Sequence, residues 1–68
     1  MIPYIGDVSK NDAILLAEFA KSYNTILEFG CGASTQILAN YARGLMISID
    51  TNISWIDKTK ENLKLLGI

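Results

Sequence analysis

The sequence predicts an α/β fold, a doubly wound parallel sheet laid down in the order helix, strand, helix, strand, helix. Three observations carry that expectation. Two short runs, Ile26 to Phe29 and Leu45 to Ile49, are apolar apart from Glu28 and Ser48, as in strands covered on both faces. A segment with helical spacing lies between them on short connections, which implies a parallel pair with a right-handed crossover. Glycines stand where the elements begin or end, at Gly30, Gly32, Gly44 and Gly67.

Each element has its own local signal. Met1 to Val8 contains Pro3, Gly6 and Asp7 and reads as an irregular lead-in. Ser9 and Asp12 have capping-box spacing and open a helix to about Tyr23. Leu15, Phe19 and Tyr23, beside Leu16 and Ala20, form its expected apolar stripe. Asn24 and Thr25 break the pattern before the first strand. A second helix is expected from near Ser34 to about Ala42, with Ile37, Leu38 and Tyr41 inward. Arg43 suits the negative pole of that helix and Gly44 its C-terminal cap. Ser54 and Asp57 repeat the capping spacing and open a third helix to about Leu66, stopped by Gly67. Ile56, Leu63 and Leu66 line its core side, while Asp57, Lys58, Lys60, Glu61 and Lys64 form a solvated face.

Composition narrows the classes of function. With 68 residues, the chain holds at most one small domain, which is marginal in stability without a staple. Cys31 is the only cysteine and histidine is absent, so neither a disulfide framework nor a Cys/His zinc site can be built within one chain. Yet 50% of the residues are hydrophobic, too many for a disordered segment, so a piece of a larger core is expected. A two-stranded parallel sheet also leaves open edges that three helices cannot cover. The net charge of −1, without a basic patch, argues against nucleic-acid binding. No apolar run is long enough to span a membrane, and Met1-Ile2-Pro3-Tyr4 lacks the regions of a signal peptide. A reduced, cytoplasmic setting is expected.

The chemistry concentrates at the strand tips. In an open α/β sheet, ligands sit beyond the carboxyl ends of the strands, which here are Phe29-Gly30 and Ile49-Asp50. Gly30 and Gly32 allow a sharp turn and a close approach of ligand to backbone. Asp50 has the lone pairs to accept two hydrogen bonds from a ribose diol. A dinucleotide fingerprint would place a third glycine at the position of Thr35 and a pyrophosphate at the helix N-terminus. Glu28 would repel that pyrophosphate and would suit a cationic amine or sulfonium. A cofactor with a ribose, positive charge and no phosphate fits better. Cys31 lacks an adjacent base and fills a tight turn rather than serving as a nucleophile. Trp55 could stack on an adenine or pack under the loop.

The run Ile26-Leu27-Glu28-Phe29-Gly30-Cys31-Gly32-Ala33-Ser34 resembles the first motif of class I S-adenosylmethionine-dependent methyltransferases, with Ser34 in place of a third glycine. Ile47-Ser48-Ile49-Asp50 is similar to the family's acid at the end of the second strand, and Lys60 to Ile68 to its following helix. The resemblance implies a Rossmann-like domain, of which residues 1–68 are the N-terminal α-β-α-β-α part, and S-adenosyl-L-methionine as cofactor. By position, Gly30, Cys31, Gly32 and Ser34 would form the turn under the methionine and ribose. Glu28 would organise the amino group, Asp50 would hold the ribose hydroxyls, and Thr51 or Asn52 would border the adenine. The methyl group would pass to an acceptor, expected to be a small molecule, whose pocket and any general base lie beyond Ile68; the 68-residue chain alone is expected to be inactive. Two other functions stay open: a non-catalytic remnant acting as a binding or interaction module, and a fragment of an NAD(P)-binding oxidoreductase, which Glu28 and Thr35 disfavour.

Overall fold

The computed structural model describes residues 2–68, a small α/β domain of three helices and a two-stranded parallel sheet. In chain order the elements are α1 (Lys10–Ser22), β1 (Thr25–Phe29), α2 (Ala33–Tyr41), β2 (Leu45–Ile49) and α3 (Ile53–Leu66). The strands pair in register from Thr25 opposite Leu45 to Phe29 opposite Ile49, with Glu28 opposite Ser48. One further rung, from the Gly30 N–H to the Ile49 carbonyl at 2.6 Å, carries the pairing into the glycine turn. The expected element order is therefore present, and the strand tips lie side by side.

All three helices join one layer, because α1 and α3 both pack on α2. Ala20 of α1, Ile26 of β1 and Leu38 of α2 form one buried cluster, with Met46 of β2 against it. A second cluster joins Ala13 and Ala17 to Ile37, beneath Ile2, Tyr4 and Val8 of the lead-in. The strands were expected to be covered on both faces, but only the face bearing Ile26, Glu28, Met46 and Ser48 is covered. Leu27, Leu45, Ile47 and Ile49 are exposed on the other face, and Phe29 is 79% exposed. Alternate strand residues point to opposite faces, so a single helix layer can bury only one of the two sets.

The apolar stripe of α1 is also corrected. Leu15, Phe19 and Tyr23 are exposed, while Ala13, Leu16, Ala17 and Ala20 turn inward. Small alanines let α1 approach α2 closely, and the larger residues are displaced outward, where the Phe19 and Tyr23 rings pair at 4.6 Å. On α2, Ile37 and Leu38 are buried as expected. Ile56, Leu63 and Leu66 of α3 are half-buried, with Thr59 and Asn62 buried between them.

Two caps differ from expectation. Ser9 does cap α1, its hydroxyl accepting from the Asp12 N–H at 3.1 Å. The third helix, however, is capped by Asn52 rather than Ser54: the Asn52 carboxamide accepts from the Trp55 N–H at 3.0 Å and the helix begins at Ile53. Asn is an equally good cap and lies nearer the strand tip. The C-cap of α2 is Ala42, not Gly44. Gly44 instead serves backbone contact, since a Cβ there would collide with the Asn24 carbonyl oxygen. Arg43 does not attend the end of α2; its guanidinium donates to the Lys21 carbonyl at 3.4 Å, in the last turn of α1.

Beyond that apolar packing, the lead-in is fastened by one buried polar side chain. Gln36 is 1% exposed, and its carboxamide meets the Ile5 peptide twice: the Ile5 N–H donates to Oε1 at 2.7 Å, and Nε2 donates to the Ile5 carbonyl at 3.0 Å. Tyr4 donates its hydroxyl to the Val8 carbonyl, closing the segment on itself before α1.

Candidate functional site at the strand tips

The parallel register delivers the glycine turn and the acid of β2 to one rim. Gly30 has φ of 93°, a conformation in which a side chain is strained, and a Cβ there would meet nothing within 4 Å. The turn therefore needs glycine for its backbone angle, and the space over it is open.

Asp50 binds that turn directly. Its Oδ2 accepts from the Cys31 N–H at 2.9 Å, and its Oδ1 accepts from the Asn52 N–H at 2.9 Å. The N–H groups of Asn52, Cys31 and Thr51 hold the carboxyl below the ordinary aspartate value, outweighing the opposing effect of partial desolvation. Asp50 is thus a carboxylate at neutral pH. Each oxygen has a bond to the backbone and a further lone pair for a ligand hydroxyl.

Cys31 lies between the two strand tips and is half-buried. Desolvation pushes its thiol up from the ordinary value, and the nearby Asp50 and Glu28 carboxylates push it further. The Thr35 hydroxyl opposes the shift without reversing it. The thiol stays protonated at neutral pH, which suits a turn-filling residue rather than a nucleophile.

Glu28 sits one step below the rim, on the covered face. Its Oε1 accepts from the Thr35 hydroxyl at 2.5 Å and the Ser48 hydroxyl at 3.0 Å, and its Oε2 from the Ser34 hydroxyl at 2.6 Å. The carboxylate thereby ties β1 to the first turn of α2 and to β2. Thr35 also accepts from the Gly32 N–H at 3.0 Å, so one hydroxyl braces the turn and the acid together.

The structure brings Gly30, Cys31, Gly32, Asp50, Thr51 and Asn52 together at the strand tips. It joins Glu28 and Ser34 to each other just beneath them. Asn52 has its side-chain oxygen committed to the cap of α3. Thr35 and Ser48, which are not among the expected site residues, complete the hydroxyl cage. The parallel register could have found Ser48, which faces Glu28 across the sheet, and Thr35 stands at the third residue of α2.

The rim presents the Asp50 carboxylate beside an open glycine turn, with the Glu28 carboxylate just beneath it. Such an arrangement can hydrogen-bond a diol through Asp50 and favours a cationic group over a phosphate near the turn. No family model, curated protein or solved structure matches this chain.

Proposed function

We propose that this chain forms the S-adenosylmethionine-binding part of a methyltransferase, on a Rossmann-like doubly wound sheet. The observation that carries the proposal is the Asp50 carboxylate bound to the Cys31 N–H, which sets a ribose-type acceptor against a glycine turn with open space above it. The negative surroundings of Cys31 add support, since they favour a sulfonium over a pyrophosphate. Asp50 would hold the ribose hydroxyls, and the Gly30–Gly32 backbone would lie beneath the sugar and the methionine.

Glu28 has a modified role in this proposal. Its carboxylate already accepts three hydroxyl bonds, so it shapes the turn and supplies negative potential. Methyl transfer would need an acceptor held in line with the sulfonium, and alignment of the two reactants would supply much of the rate. The acceptor is proposed to be a small molecule.

A second function, as a non-catalytic interaction module, is favoured by the bare apolar face of the sheet. Titration with S-adenosylmethionine and with NAD, followed by calorimetry, separates these proposals. Binding of S-adenosylmethionine alone, weakened at least about tenfold by Asp50→Ala, is the expected outcome. Equal binding by wild type and Asp50→Ala would refute the assigned site, and preference for NAD would favour the oxidoreductase.

A further inference from the structure

A separate cleft of about 450 Å³ opens on the helix layer, between the lead-in, the first turn of α2 and the inner side of α3. Asp7, Ser34, Trp55, Lys58 and Asn62 are among the residues that line it. Asn62 is the informative one. It is 8% exposed, and its carboxamide has no hydrogen-bond partner among the described residues. Asn62 lines this cleft, and because no buried side-chain nitrogen or oxygen is left without a partner, its carboxamide keeps some contact with solvent. A polar group so enclosed normally finds a partner in the fold. Here none of the described residues supplies one.

The other groups around the cleft are complementary. The N–H groups of Ala33 and Ser34 have no backbone acceptor in the first turn of α2 and bring the positive end of its dipole to the wall. Lys58 adds a cation and Asp7 an anion, and the two form no ion pair with each other or with another described residue. The indole of Trp55 contributes an apolar surface with one N–H donor, near the Gly32 backbone. A simple anion would gain from Lys58 and α2 but would face Asp7. A molecule with both charges satisfies each wall.

We propose that this cleft binds a small zwitterion of the α-amino-acid type. Its carboxylate lies toward Lys58 and the first turn of α2, its ammonium toward Asp7, and its side chain on Trp55. The Asn62 carboxamide bonds the ligand's polar end. This site is distinct from the Asp50 rim, although Gly32 to Ser34 form the wall between them, and it stands independently of the proposed cofactor.

The test is a titration of the isotope-labelled 68-residue chain with L-glutamine and L-phenylalanine, with acetate, phosphate and ethylamine as single-charge controls, followed by amide NMR shifts. Saturable shifts of the Asn62 side-chain amide and the Ala33 and Ser34 backbone amides are expected with at least one amino acid. They should weaken about tenfold in both Lys58→Gln and Asp7→Asn. Both substitutions are at the surface and should leave the amide spectrum of the free chain folded, which keeps the test independent of a core change at Asn62. No saturable shift with either amino acid would overturn the proposal, as would equal shifts with acetate or phosphate. S-adenosylmethionine shifts around Gly30 and Asp50 should persist in both variants, so loss of one site does not count against the other.

Discussion

The Cys31 N–H and the Asp50 carboxylate are 2.9 Å apart, and that one bond joins the glycine turn after β1 to the tip of β2. The two are nineteen positions apart in sequence, and parallel pairing makes them neighbours. The rim is therefore organised before any ligand arrives, and less ordering remains to be done on binding.

Asp50 makes the fold sensitive to acid. Its folded carboxyl titrates below its unfolded value, so its contribution to stability is present above the unfolded pKa. That contribution is lost as pH falls through the folded one. Thermal melts should show wild type losing stability as pH drops below about 4, and Asp50→Asn should flatten that limb. An unchanged acid limb in Asp50→Asn would assign the loss to other carboxyls.

Glu28 should matter to stability as much as to binding. Glu28→Ala strands the Ser34, Thr35 and Ser48 hydroxyls and is expected to cost about 2–3 kcal/mol in urea unfolding. Ser48→Ala, which removes a single bond to Oε1, should cost about 1 kcal/mol. Equal losses for the two variants would show that the cage does not act through the carboxylate.

Cys31 should be slow to react. Because its thiol titrates above the ordinary value, iodoacetamide labelling of the folded chain should lag the urea-unfolded chain several-fold at about pH 8. The pH midpoint of labelling should move down on unfolding. Identical profiles in the two states would remove the influence of Asp50 and Glu28 on the thiol.

Backbone packing gives a further prediction at Gly44. A methyl group there meets the Asn24 carbonyl, so Gly44→Ala should destabilise by about 2 kcal/mol or more, read from the urea midpoint. Leu15→Ala on the outer side of α1 should stay within about 0.5 kcal/mol of wild type. A large loss for Leu15→Ala would return that residue to the core.

The element order and the strand-tip positions of Gly30 and Asp50 were legible because periodicity and turn residues act locally. Ser9 as a cap followed from the same local chemistry. What escaped depends on distance. The inward face of α1 is made of alanines, which only a close neighbouring helix selects, so the bulkier Leu15, Phe19 and Tyr23 looked like the core. Exposure of Leu27 and Ile47 follows from which side the helices take, which no strand records by itself. The partners of Glu28 needed the register of β1 on β2 and the placement of α2. Asn52 and Ser54 both qualify as caps by residue type, and the helix uses the one nearer the strand tip.

Gln36 presents to Ile5 the same donor and acceptor that a neighbouring peptide unit would present. The lead-in is thus attached to α2 by a side chain imitating one rung of a sheet, and it forms a wall of the helix-layer cleft at Ile5 to Val8. Undocking the segment would leave an enclosed carboxamide and the Ile5 backbone groups to find water together. Residues 5–8 are thus seated on the helix layer at two points, the Gln36–Ile5 pair and the packed Val8 side chain.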